Sequence, residues 1–330
     1  MTREPRIAMQ KTGLLSRLCS VALVSMMALG TAQGQDKTVR IIVPFAAGSV
    51  QDTLARSVNT ELGAALKQTV IVDNKAGAGG TIGTALVARS TADGTVLDMA
   101  AASHVIASYL YNNLSYDPIK SFAPAAYIGT ASYVLMVPGD LPVSNVVEFV
   151  NLVKASPGKY NYASAGNGSA THLSMAYMAG MAGLDMEHIP TKSTGEAVME
   201  VLSGRAQAVI AANIAALGYR DDKRIKLLAV TSPGRSKFLP DIPSVAESGL
   251  PGYAFTSWFG LLAPAATPVA TLDSIQSAVA TLLKDPVVLE RLAKQGIEPA
   301  ILTNAEFAEL LKKSDEQMAL VVKKSGATAQ

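Results

Sequence analysis

The apolar positions of this 330-residue chain follow two alternating rhythms. Short β-branched runs at residues 39–43, 69–72 and 96–100 are separated by stretches with helical spacing at 52–66 and 81–90. Strand, helix, strand in repetition predicts a parallel sheet with crossover helices. A bare strand at 133–138 breaks the rhythm. A second set follows, with helices at 146–156, 171–180 and 195–203 and strands at 161–163, 188–189, 208–210 and 227–231. A second bare strand at 258–263 ends at Pro264 and leads into helices at 269–283, 286–295 and 304–323. The pattern predicts two α/β lobes, one from residues 36–135 and 258–330 and the other from 136–257. The bare strands cross between them as a hinge, and a cleft lies between the lobes.

Three strand ends run into turns of small residues that open helices: Pro44 to Gly48, Asn74 to Gly80, and Ser164 to Ser169. Such turns present backbone N–H groups to an anion. In open α/β sheets these carboxyl ends of the strands are where ligands sit.

Composition adds the compartment. Arg3, Arg6, Lys11 and Arg17 precede an apolar run over residues 18–29, and Gly30-Thr-Ala32 supplies the small residues of a secretory cleavage site. The run is too short for a bilayer span of roughly 20 residues, so residues 1–32 read as a signal peptide cleaved near Ala32, and the mature chain as periplasmic. Cys19, the single cysteine, lies inside that leader. The mature chain therefore has no disulfide framework, thiolate metal site or cysteine nucleophile. The leader carries four of the 28 basic and one of the 26 acidic residues, leaving 24 against 25. That balance offers no electrostatic footprint for nucleic acid.

Candidate chemistry is sparse. Asp52 opens a helix and reads first as a capping acid. Gly77, Gly79, Gly80 and Gly83 echo a dinucleotide fingerprint only loosely, and an exported chain has little use for a nucleotide cofactor. His104, His172 and His188 lack the spacing of a local metal motif. No catalytic residue, metal or cofactor is assigned. Ser169 is not flanked as a nucleophile elbow requires. His172, at a helix start, could bring a ring N–H to a carboxylate. Lys192 could meet a distal carboxylate. Trp258 and Phe259 read as hinge packing, and Tyr109 and Tyr111 as helix-face core.

The chain resembles the Bug family, the extracytoplasmic solute receptors of tripartite tricarboxylate transporters. The likeness rests on the order of Ile42-Val-Pro-Phe-Ala-Ala-Gly48 with Asp52, Asn74-Lys-Ala-Gly-Ala-Gly-Gly80, Ala92-Asp-Gly94, Tyr116-Asp-Pro118, Asn161-Tyr-Ala-Ser-Ala-Gly-Asn-Gly168, Pro240-Asp-Ile-Pro243 and Gly260-Leu-Leu-Ala-Pro264. It implies a type II periplasmic-binding-protein fold, two α/β lobes joined by two crossover strands, with a carboxylate-bearing solute closed in the cleft. It places ligand contacts at Phe45, Ala47, Gly48, Asp52, Gly79 and Gly80 on the first lobe and at Ser164, Asn167, Ser169 and His172 on the second. Ser49 and Val50 stand where the family usually has glycines, adding a hydroxyl and a branched wall to the pocket, Thr191 with Lys192 stands where it often has Tyr-Lys, and Ala211-Ala212 where an acid or amide is common. Loss of a Tyr and an acid leaves a roomier, less acidic pocket, suited to a larger dicarboxylate or an aromatic carboxylate. Ser49, Ser103, Thr191, Lys192 and Asn213 complete the candidate ligand-binding set. The implied function is capture of a di- or tricarboxylate or an aromatic carboxylate by lobe closure and its delivery to the membrane components of the transporter, with the receptor a monomer. A secreted hydrolase or lyase and a periplasmic sensor stand as alternatives.

Overall fold

The computed structural model of the chain describes residue 2 and residues 38–325. The expected leader and its cleavage near Ala32 lie outside the described residues. The first half runs β1 (Thr38–Val43), α1 (Val50–Leu66), β2 (Thr69–Asn74), α2 (Thr81–Ala88), β3 (Val96–Ala101), α3 (Ser103–Leu110) and β4 (Phe122–Pro138). Then come α4 (Val146–Lys154), β5 (Tyr160–Ser164), α5 (Ala170–Ala182), β6 (Met186–Pro190), α6 (Thr194–Leu202), β7 (Ala208–Ala212), α7 (Asn213–Leu217) and β8 (Ile225–Val230). The chain closes with β9 (Thr256–Pro264), α8 (Val269–Leu282), α9 (Pro286–Lys294), β10 (Glu298–Pro299) and α10 (Asn304–Ser325).

The sheet order is β2-β1-β3-β9-β4-β7-β5-β6, with β10 and β8 each paired to β4. Pairing is parallel within β2-β1-β3 and within β7-β5-β6, the two ends built from strand-helix-strand units. The middle is antiparallel, because β9 and β4 enter from long connections. The sheet is therefore mixed, parallel only at its two ends.

β4 is the long element of the fold. Its residues 122–132 pair with β9, and Tyr133 onward pairs with β7 and β8. The sequence pattern shows only its second half as a strand, since Pro124 and Gly129 interrupt the first. The ladder is irregular at both places, between Pro124 and Ala126 and between Tyr127 and Gly129. Proline lacks the ladder N–H and glycine adds no packing, so only the pairing with β9 and β10 keeps this segment extended. The return connection passes Phe255, whose N–H donates to Thr231 O at 2.8 Å, before β9 joins β3.

Strand alternation divides the core. Val39, Ile41 and Val43 of β1 with Leu97 and Met99 of β3 pack under α1, α8 and α9, while Ile42 and Ala100 face the other side. α10 packs on α3 and β4 and also on α5, so it touches both halves of the sheet. Phe307 anchors it, fully buried with its ring edge-on to Tyr127 at 5.4 Å and to Trp258 at 5.6 Å. Truncating so enclosed a ring costs about 3–5 kcal/mol.

Candidate functional site

The first turn is held by its own acid. Ser49 is the N-cap of α1, its Oγ accepting from Asp52 N at 3.3 Å, and Asp52 Oδ2 accepts from Gly48 N at 2.9 Å. Asp52 Oδ1 accepts from Arg56 Nε and Asn74 Nδ2, each at 3.0 Å. Burial alone pushes this carboxyl up, but the bonds from Gly48, Arg56 and Asn74 outweigh it and hold the group below the usual carboxylate range. Ser49 N donates to Ala46 O at 3.1 Å. Asp52, Gly48 and Ser49 thus direct their polar groups at one another.

In the second turn Gly77, Ala78, Gly79 and Gly80 all have positive φ. A Cβ at Gly79 would stand 2.8 Å from the Tyr111 hydroxyl, and one at Gly80 3.3 Å from the Phe45 ring, so two aromatic side chains lie directly on this backbone. The third turn is self-satisfied like the first. Ala165 N donates to Thr171 Oγ1, Gly166 N to Ser164 Oγ, Gly168 N to His172 Nδ1 and Ser169 N to Gly166 O. Ser169 caps α5 by accepting from His172 N at 3.2 Å.

A cavity of about 340 Å³ lies where these turns meet. Of the candidate residues, Phe45, Gly79, Ser103, Asn167 and Ser169 line it. The others have different places. Ala47 and Gly48 are exposed beside the turn. Gly80 borders a smaller cavity beneath the first. Thr191 Oγ1 donates to the carbonyls of Ser164 and Ser193, and Lys192 is exposed. Asn213 Nδ2 donates to Ser132 Oγ at 2.6 Å and Ser236 Oγ at 3.1 Å. Ser132 lies on the face of β4 opposite Tyr133, which lines the cavity.

His172 and His188 stack at 4.1 Å, with Tyr162 on His188 at 4.9 Å. Because His172 Nδ1 accepts from Gly168, its proton is assigned to Nε2. Burial lowers its pKa, and burial together with the neighbouring His172 lowers that of His188 to about 4, so both rings are neutral near pH 7. His188 Nε2 lies 2.6 Å from Ser164 Oγ, but Ser164 is fully buried and offers no exposed nucleophile.

Of the rest of the lining, the sequence marked Val50 as a wall of the pocket but read Tyr111 as helix-face core and Phe259 as hinge packing. Val50 and Gln51 begin α1 and Ala170 begins α5, joining Ser103 at the start of α3. Ile106, Ala107, Leu110 and Tyr111 form one wall, and Tyr133, Ser257 and Phe259 on the central strands form another. Burial pushes the Tyr133 phenol up to about 12, so it enters the cavity as a neutral hydroxyl. The helical spacing of Ile106, Ala107 and Leu110 was a usable signal, but it reads equally as ordinary core.

Two helix N-termini therefore meet at one cavity, α1 through Val50 and Gln51 and α5 through Ala170, while α3 lies along its wall from Ser103 to Leu110. Among the described residues no Asp, Glu, Lys, Arg or His lines it. The first-turn amides and dipoles of α1 and α5 are the groups there that favour an anion. Among the described residues no three His, Cys, Asp or Glu side chains gather as a metal site.

Residues 54–327 match the model of the tripartite tricarboxylate transporter family receptor. The chain is similar to the R. palustris protein Rpa4515 solved with adipate (28% identity, 89% of this chain and 98% of that one, TM-score 0.77). It is also similar to the periplasmic binding protein BugD (33% identity, 89% and 99%, TM-score 0.74). A third relative is MatC from Rhodopseudomonas palustris with bound malate (28% identity, 86% and 98%, TM-score 0.73). With its mixed α/β sheet, its two lobes and a cavity lined by helix ends, the chain belongs to the tripartite tricarboxylate transporter receptor family and is a solute-binding receptor, not an enzyme.

Proposed function

We propose that this receptor works in the periplasm, captures a mono- or dicarboxylate of predominantly apolar body, and delivers it to the membrane components of a tripartite transporter. The carrying observation is the meeting of two helix N-termini, those of α1 and α5, at a cavity without an ionised side chain among its described lining residues. Each end carries about half an elementary charge. Two of them balance about one carboxylate, and a tricarboxylate would leave most of its charge uncompensated in a desolvated site. Phe45, Val50, Ile106, Leu110 and Phe259 give the rest of the solute an apolar surround. The adipate and malate of the two solved relatives fall in the proposed class.

Phe45, Gly79, Ser103, Asn167 and Ser169 are the contacts we assign first, with Gln51 and Tyr111 added. The lobes are read as residues 36–135 with 258–330 and residues 136–257. The change of β4 partners between Ser132 and Tyr133 supports that division. Contacts shared between Gly79 on one lobe and Asn167 on the other favour the closed form by differential affinity.

The test is a thermal-shift screen of the mature protein against mono-, di- and tricarboxylates and aromatic acids, with calorimetry on the best hit. One-to-one binding of a mono- or dicarboxylate is the expected result. Preference for a tricarboxylate, or for a cation, would defeat the reading.

A further inference from the structure

Asp98, on β3, is 1% exposed, and His104, on α3, is 4% exposed. His104 Nε2 lies 2.8 Å from Pro118 O. A carbonyl only accepts, so Nε2 carries a proton and Nδ1 is the nitrogen that faces Asp98 Oδ2, at 3.4 Å. Both oxygens of Asp98 and Nδ1 of His104 are buried and lack a hydrogen-bond partner. A buried polar group left unpaired is costly, so these atoms call for a guest. Whichever residue holds the proton between Nδ1 and Oδ2, the carboxyl keeps free lone pairs. What the pair lacks is a donor.

A cavity of about 10 Å³ adjoins the two residues. That is close to the smallest space that holds one water. Asp98, His104, Thr84 and Tyr116 line it together with Gly79, Gly80 and Ser103. Phe45, Gly79 and Ser103 line the solute cavity as well. The small cavity is thus the polar floor beneath the second turn, one layer below the solute.

We propose that Asp98 is a specificity-determining residue. With His104 it holds one water in the floor, and through that water it selects carboxylates bearing a hydrogen-bond donor, a hydroxyl or an ammonium, at the end of the solute next to Gly79 and Ser103. The proposal rests on the carboxylate reading above and narrows it. An acceptor under an anion site discriminates by chemistry: it rewards a donor substituent and gives nothing to the corresponding C–H.

The experiment compares succinate, malate and aspartate, and phenylacetate, mandelate and phenylglycine, by calorimetry on the mature protein and on Asp98→Leu. Within each set the solutes differ at C2 by hydrogen, hydroxyl or ammonium, so the arms separate the two donors. Wild type should prefer a donor-bearing member by ~10-fold over its unsubstituted partner, the worth of one good hydrogen bond. In Asp98→Leu the ratio should fall to within ~2-fold. A ratio near one in wild type, or one unchanged in the variant, overturns the proposal. The crystal structure of the unmodified mature protein needs no variant: a water within hydrogen-bond distance of Asp98 supports the proposal, and an empty floor overturns it. Failure of every carboxylate to bind would count against the function proposed above, and the floor would then be judged by the water alone.

Discussion

Trp258 donates its indole N–H to Ser314 Oγ at 2.8 Å, tying β9 to the middle of α10, while its neighbours Ser257 and Phe259 line the proposed solute cavity from the opposite face of the strand. One strand thus carries the cavity on one side and the helix that spans both halves of the sheet on the other. Trp258 is the single tryptophan of the chain and is 3% exposed. Saturating carboxylate should therefore change tryptophan emission, and Ser314→Ala should alter the unliganded spectrum. Emission unchanged by a solute that calorimetry shows to bind would mean that β9 and α10 do not respond to occupancy.

Asp52 organises the first turn without lining the cavity. Asp52→Ala removes the acceptor of Gly48 N, Arg56 and Asn74 at once, with Asp52 itself 3% exposed. A loss of about 2–4 kcal/mol is expected, the range for opening a buried charge-assisted network. Urea unfolding measures it. A loss below about 0.5 kcal/mol, the size of an ordinary surface change, would show that the turn holds itself.

Gly48 and Gly79 separate backbone strain from solute contact. Gly48 has φ +83 with nothing within 4 Å of an added Cβ, whereas Gly79 has φ +63 and a Cβ there would meet the Tyr111 hydroxyl at 2.8 Å. Each substitution to Ala should cost about 1–2 kcal/mol for the left-handed backbone. Only Gly79→Ala should also weaken solute affinity, because only Gly79 lines the cavity. Equal affinities for the two variants would remove the second turn from the site.

His188 predicts a pH response. Its folded pKa is lowered to about 4 by burial and by His172, so between about pH 6.5 and 4 the unfolded chain binds the proton that the folded chain refuses. Stability is complete above pH 6.5 and falls as pH drops through that window, by up to about 3 kcal/mol. Asp52, whose folded pKa is depressed, adds a further loss at lower pH. Chemical denaturation of wild type and His188→Phe from pH 7 to pH 4.5 should show the slope shrinking in the variant. An equal slope in both proteins would assign the loss to other groups.

Local pattern made much of this protein legible. The run Val39 to Val43 could only be a buried strand, and the small residues after it could only be a turn, because β-branched side chains need a pleated neighbour and a helix needs a start. Helix ends were off by a residue or two where a serine cap lay just outside the apolar period, as at Ser49 before α1 and Ser169 before α5. The ordered motifs from Ile42 to Pro264 carried the family, and with it the two-lobed fold.

The sequence by itself determined the strand-helix units, the turns that end them and the kinship of the chain, since each depends on residues close together in the chain or on their order. Tertiary structure alone decided which amides are free. Gly48 and Gly168 look like anion donors in the sequence, yet they bond Asp52 and His172, which lie one helical turn away. It also decided which face a residue meets: Asn213 bonds Ser132 behind β4, while Tyr111 and Phe259 reach the cavity. A hydrogen bond or a cavity wall is a relation between elements far apart along the chain, and strand alternation sends adjacent residues such as Ser132 and Tyr133 to opposite sides only after the register with β9 and β7 is set.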